Sequence, residues 1–202
     1  MKYTRENREV TYIHYGAKEF NPTIFTEPMN EPGWLKPQGH TGFWASPIDA
    51  GYGWKPWCED NDFRECLDEV SFKFTVHDPE KIFYIDSLES YIEFLKQYGS
   101  KAVYPSVLGI DRLHSIDFER MMKDGWDGLE ISLTDYPHLY DLFYTWDCDS
   151  ILIFNKDAII PINTEEKEVT IHDEFEAAIE GDSLGSGIFG EWEALLSHNQ
   201  FT

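Results

Sequence analysis

Lys36-Pro37-Gln38-Gly39-His40-Thr41-Gly42-Phe43-Trp44-Ala45-Ser46 sets a Pro/Gly-rich turn directly before an aromatic-rich strand that ends in small residues. Proline lacks the backbone donor a helix needs, and glycine costs conformational entropy, so the first half of the stretch is a turn. The second half puts a large ring among small neighbours, and such a strand can form one wall of a pocket for a flat ring. Upstream, Val10-Thr11-Tyr12-Ile13-His14-Tyr15-Gly16 is β-branched and aromatic, the composition of a strand, with one histidine near its end.

Working outward from these two segments, residues 9–15 alternate as a strand does, and Asn21-Pro22 starts a short helix or turn through Phe25. Pro28, Pro32, Gly33, Pro37 and Gly39 make 27–40 a loop. Residues 51–63, GYGWKPWCEDNDF, are glycine-rich and predict irregular structure, and their Trp54 and Trp57 are of the kind found lining sites. The pattern then predicts a short helix over 62–67, a half-buried strand over 70–77 and another strand over 81–86. Leu88, Tyr91, Ile92 and Leu95 fall at helical spacing, with Gly99 as the stop. A second helix is expected over 117–123, closed by Gly125, followed by a strand over 126–133 that carries Glu130. Pro137 opens a helix to about Trp146, residues 150–155 form the most apolar strand, and Ile159-Ile160-Pro161 suits a sheet edge, where proline is tolerated.

A chain of 202 residues with 42% hydrophobic content is one domain, or one domain with an extension, and can bury a real core. No apolar run approaches the roughly 20 residues of a membrane helix, and the N-terminal stretch is polar and charged rather than signal-like. A cytoplasmic protein is the expectation. Three cysteines, Cys58, Cys66 and Cys148, are irregularly spaced and fit a reducing compartment, and the seven histidines are scattered, so no metal site is indicated. A net charge of −22 would repel phosphate backbones and disfavours direct nucleic-acid binding. Beyond 163 the composition shifts to ten carboxylates against Lys167 alone, with helical patches at 173–180 and 191–196, so the domain is placed at 1–163 and an acidic, partly helical extension at 164–202.

In their order, the 10–16 and 42–46 segments resemble the opening of the ADP-ribosyltransferase fold. In that family a first strand carries a His or Arg that holds the adenosine side of NAD, and a second presents an aromatic to the nicotinamide. The resemblance implies an α+β fold, a split β-sandwich with flanking helices, and NAD as a substrate. It places His14 on the ribose, with Tyr15 standing between it and Gly16, where the family has glycine directly after the histidine. It places Trp44 on the nicotinamide, behind Gly42 and with Ser46 available for hydrogen bonding. A core ring is the commoner fate of a tryptophan like Trp44, and a hydrogen-bonded strand-end histidine that of His14.

Cleavage of the nicotinamide bond passes through an oxocarbenium-like state, which calls for a carboxylate near the developing positive charge. The family's late strand, a glutamate followed by an apolar run, is similar to 149–159 with Asp149 in the acid's place. Counting back from Asn155 puts the family's acid at Ser150, so Asp149 requires a bulge there. Glu130 and Asp147 are the second and third candidates, and each of the three would otherwise be a solvated strand-edge carboxylate. The function so implied is that of a bacterial or phage-encoded ADP-ribosyltransferase modifying a macromolecular target, expected from the surface charge to be a basic protein, with hydrolysis of NAD as the nearest variant. The alternative from another class is a non-catalytic acidic inhibitor, a nucleic-acid mimic acting through the carboxylates of 165–193. A degenerate transferase fold that binds without turnover is the third reading.

Overall fold

The computed structural model describes residues 4–5, 9–106 and 109–162. The chain divides into units 1–162 and 163–202, and all the described residues belong to the first. The acidic extension expected over 164–202, with its helical patches, lies outside the described residues.

The first unit is an α+β structure dominated by a mostly antiparallel sheet. Seven strands, β1 (Tyr12–Tyr15), β2 (Phe43–Pro47), β3 (Ser71–Val76), β4 (Ile82–Ile85), β7 (Gly128–Ile131), β8 (Ser150–Ile153) and β9 (Ile159–Pro161), run in the order β4-β7-β8-β2-β1-β3-β9. Two further strands, β5 (Gly99–Lys101) and β6 (Leu113–Ile116), pair as a separate ribbon, and the helices are α1 (Trp54–Asp60), α2 (Leu88–Tyr98), α3 (Phe118–Lys123) and α4 (Leu139–Leu142). Of the neighbouring strands in the large sheet, β4 and β7 alone are parallel. The crossover a parallel pair requires is supplied by α2, the β5–β6 ribbon and α3.

Both faces of the central strands are covered. Along β8, Leu152 joins α2, α3 and α4 in one core with Phe83, Phe94, Leu129 and Phe143, while Ile151 and Ile153 join a second core with Tyr12, Phe72, Phe74 and Ile82. Burial on both sides explains why 150–153 reads as a continuous apolar run rather than an alternation. The second core exists because the sheet curls on itself: β1 and β7 are separated by two strands, yet the Tyr12 hydroxyl donates to Glu130 at 2.8 Å.

Local chemistry fixes the ends of the elements. Ser87 caps α2 by a reciprocal capping box with Ser90, and Tyr91, Phe94, Leu95 and Tyr98 form its buried face, with Ile92 turned outward. Gly99 ends α2 with ordinary extended dihedrals, and it is glycine because a Cβ there would sit 2.3 Å from Leu113 Cδ2 and 3.0 Å from Leu95 Cα. Asp117 caps α3, and β9 with Pro161 lies at the sheet edge.

Three expectations are corrected, and one element is new. Residues 54–60 form helix α1 rather than irregular structure, because Pro56 falls in the first turn, where its missing donor costs no hydrogen bond. Residues 62–67 are not helical, since Asp62 at φ 48° breaks the chain direction. The helix after Pro137 is confined to Leu139–Leu142. The β5–β6 ribbon carried no sequence signal, and its strands are defined by each other, down to the Ser100–Ser115 hydroxyl contact at 2.7 Å. No helix among the described residues is long and apolar enough to cross a membrane.

Candidate functional site

A cavity of about 490 Å³ opens where β1 and β2 part. The two strands pair at Tyr12 with Pro47 and at Ile13 with Ser46, and no pair follows. Beyond that point the His14 ring takes over from the ladder: its Nδ1–H donates to the Trp44 carbonyl at 2.7 Å. That bond fixes the tautomer and leaves Nε2 as the ring atom able to accept. Burial holds the His14 pKa below its ordinary value, with the Arg64 charge adding to the depression and the carbonyl bond opposing it. The ring is therefore neutral at physiological pH.

Alternation puts Trp44 and Ser46 on the opposite face of β2 from Phe43 and Ala45, which enter the second core. Trp44 and Ser46 line the cavity together with Ile13, Tyr15 and Ser150 of the flanking strands. Ser46 is committed to structure, since its hydroxyl donates to the Asp149 carbonyl and accepts from the Trp54 amide, both at 2.9 Å. That second bond seats the start of α1 over the sheet.

Two separate groups of rings face the space. Trp44 lies against Trp146 at 4.8 Å between centroids, and Trp146 is anchored by its indole donating to the Leu35 carbonyl at 3.2 Å. Trp54 and Trp57 stack at 4.9 Å with an interplanar angle of 14°, and Phe63 packs edge-on to Trp54. Lys36, Arg64, Asp147 and Cys148 complete the lining, so Asp147 is the only carboxylate among the described residues that line the cavity. It pairs with Lys36 at 2.5 Å. Cys148 is a poor nucleophile, because burial pushes its thiol up to about 12.

Of the residues singled out in the sequence, His14, Tyr15, Trp44, Ser46 and Asp147 converge on this cavity. Gly16 and Gly42 shape its backbone instead. Both adopt positive φ, 115° and 81°, and a Cβ on Gly42 would meet Leu152 Cδ1 at 2.4 Å. Asp149 and Glu130 do not line it. Asp149 is 3% exposed and accepts from the Thr134 amide at 2.9 Å, the Thr134 hydroxyl at 2.5 Å and the Tyr52 amide at 3.4 Å, clamping the 51–53 and 132–135 segments together. The strand β8 pairs with both neighbours without the bulge that would bring Asp149 into line with them.

Glu130, 1% exposed, lies against the second core through its bond from Tyr12, and there Arg5 pairs with it at 2.5 Å while the Arg5 guanidinium lies over Tyr84. Burial raises its carboxyl to about 7 against the opposing pull of Arg5. A separate cavity of only about 10 Å³ adjoins it, with room for one water and no more. Lys36, Phe63, Arg64 and Trp146 carry no sequence signal as lining residues, because the segments that hold them are irregular and their convergence is purely tertiary.

Among the described residues no group of three or more His, Cys, Asp or Glu is placed to hold a metal ion, and the three cysteines are free and buried. Comparison with known proteins finds no family model that matches the chain and no curated protein or solved structure similar to it.

Proposed function

We propose that this chain is an NAD-consuming enzyme of the ADP-ribosyltransferase type, with a split-sandwich fold of that family, acting on a macromolecular target of basic character. The observation that carries the reading is the convergence, at the parting of β1 and β2, of two ring groups, a neutral histidine and one carboxylate in a single cavity. NAD is two flat heterocycles joined through two riboses and a diphosphate, and a cavity with two aromatic groups suits a ligand with two rings. Its volume also lies within the range of about 300–1,000 Å³ usual for small-molecule sites.

In this reading the Trp44–Trp146 pair holds the nicotinamide and the Trp54–Trp57 stack holds the adenine. His14, neutral and with Nε2 free, accepts a hydrogen bond from a ribose hydroxyl. Asp147 lies on the same wall as Trp146, next to it in sequence, and its carboxylate stabilises the oxocarbenium that forms as the C1–N bond breaks and the electron pair leaves with nicotinamide. Lys36 orients that carboxylate. The acceptor nucleophile then adds to C1 and gives up its proton to solvent or a nearby base, and water in its place yields free ADP-ribose.

The test is incubation with labelled NAD and a bacterial lysate, following nicotinamide release and labelled macromolecules for wild type, Asp147→Asn, Asp149→Asn and Trp44→Ala. Release that falls by about a hundredfold or more in Asp147→Asn, and much less in Asp149→Asn, supports the assignment. Release without label makes the chain a glycohydrolase. Absence of both products across several lysates and basic protein substrates rejects the enzyme reading.

A further inference from the structure

We infer that the mouth of the cavity is a phosphate-binding position built on Arg64, and that it takes a diphosphate attached to a ring. The identity of that ligand as NAD rests on the function proposed above; the phosphate position stands apart from it.

With 38 acidic residues against 16 basic ones, an arginine in this chain has carboxylates at hand in most directions. Arg5 pairs with Glu130, Arg112 with Asp141 at 3.6 Å and Arg120 with Asp124 at 3.8 Å. Arg64, the remaining arginine among the described residues, makes no ion pair with any described carboxylate. It is instead held by neutral groups, its Nη2 donating to the Tyr15 carbonyl at 2.9 Å and its guanidinium lying 5.6 Å from the Trp54 ring centre. A guanidinium has several N–H donors, and the Tyr15 carbonyl and the Cys58 thiol, which Arg64 also hydrogen-bonds, occupy only some of them. The result is a positioned cation with donors to spare.

The surroundings preserve that position. Gly16, next to the anchoring carbonyl, holds φ 115°, a conformation that favours glycine, and so sets the direction in which the Tyr15 carbonyl meets the guanidinium. Phe63, adjacent to Arg64 in sequence and 59% exposed, turns its ring to the cavity mouth beside the Trp54–Trp57 stack. A fixed guanidinium suits a phosphate, which it can bind through two parallel hydrogen bonds, and the stacked indoles suit a base. A base and a phosphate together make a nucleotide. The long-range charge of the chain opposes anion entry, so the local donor geometry has to supply the preference.

The experiment is titration of wild type, Arg64→Gln and Arg64→Lys with ADP and with adenosine, read by tryptophan fluorescence and calorimetry. Wild type should bind ADP at least tenfold more tightly than adenosine. Arg64→Gln should abolish that preference, lowering ADP affinity at least tenfold more than adenosine affinity in a protein that still shows a cooperative melt, and Arg64→Lys should keep part of it. Equal affinity of wild type for the two ligands, a preference that survives Arg64→Gln, or no binding of either ligand would overturn the inference. NAD left uncleaved while the ADP preference depends on Arg64 would remove the transferase reading and leave the phosphate position standing. Cleavage of NAD with unchanged affinity in Arg64→Gln would do the reverse.

Discussion

Replacing Asp149 by alanine should destabilise the fold by about 2–3 kcal/mol, independent of any chemistry in the cavity. The side chain is 3% exposed and accepts two short hydrogen bonds from Thr134, at 2.9 and 2.5 Å, with a third from Tyr52 at 3.4 Å that is too long to count for much. Hydrogen bonds to a charged acceptor contribute roughly 1.5–3 kcal/mol each, which sets an upper range of about 3–6 kcal/mol for the two good ones. Thr134 itself is solvent-exposed, so water re-satisfies part of what it loses, and the expected cost falls to about 2–3 kcal/mol, at or below the bottom of that range. Asparagine keeps one acceptor, and reorientation of the Thr134 hydroxyl accommodates its amide, so Asp149→Asn should lose only about 1 kcal/mol. Urea unfolding followed by tryptophan fluorescence measures both. For a folded unit of this size the alanine variant should melt roughly 5–10 °C lower. A double-mutant cycle with Thr134→Val should recover a coupling of about 1 kcal/mol or more, on the order found for residues in direct contact. An Asp149→Ala protein within about 0.5 kcal/mol of wild type would refute the clamp, since that is the scatter of inert surface changes. So would an Asp149→Asn protein of normal stability that has lost NAD cleavage, which would return the residue to the chemistry.

Glu130 makes stability fall as pH rises: its carboxyl is raised to about 7 by burial, so the stabilisation it allows is fully present below its ordinary value near 4.5 and is lost through about 7. Relative to Glu130→Gln, wild type should lose on the order of 2–3 kcal/mol between pH 5 and 8 in urea titrations, and equal pH slopes for the two proteins would contradict it. His14 has the opposite sense, a base whose depressed pKa favours protonation of the unfolded chain, so its contribution is present above about 6.5 and declines as pH falls below it. Nitrogen NMR should find the neutral ring with its proton on Nδ1; a neutral ring protonated on Nε2 would exclude the carbonyl bond, and a ring titrating at or above about 6.5 would contradict its burial. Gly99→Ala should cost about 2–3 kcal/mol by driving Leu113 and the end of α2 apart, with no backbone strain involved, and a wild-type melting curve would show that the approach is looser than 2.3 Å.

Whatever depends on local pattern is legible in the sequence. The alternation of 70–77, the apolar run of 150–155 and the spacing of 88–98 each survive in β3, β8 and α2, because burial on one face, on both faces or along one stripe leaves a distinct periodicity. α1 is hidden because Gly, Pro and Trp are poor helix formers in isolation, and the segment is helical in part because Ser46 caps its first turn from another element. The β5–β6 ribbon is hidden because Gly99-Ser100-Lys101 has no preference of its own. At the site, the histidine and tryptophan can be picked out because each stands on a readable strand. The carboxylates cannot be ranked from sequence: Asp147 and Asp149 are two residues apart, and only the turn into β8 sends one to the cavity and the other to Thr134.

The strand β2 has two clients. Phe43 and Ala45 belong to the interior of the curled sheet, and Trp44 and Ser46 to the cavity, so the ribbon that floors the cavity is the same ribbon that holds the fold closed. A lid can bind and release without the rest of a protein registering it, but this floor cannot. Occupancy should therefore be felt as resistance of the whole 9–162 unit to heat, by about 2.7 kcal/mol at roughly a hundredfold excess of ligand over Kd. The melting temperature becomes a reporter that needs no assumption about chemistry, and a panel of nucleotides scored by it alone would rank what the cavity was shaped to hold.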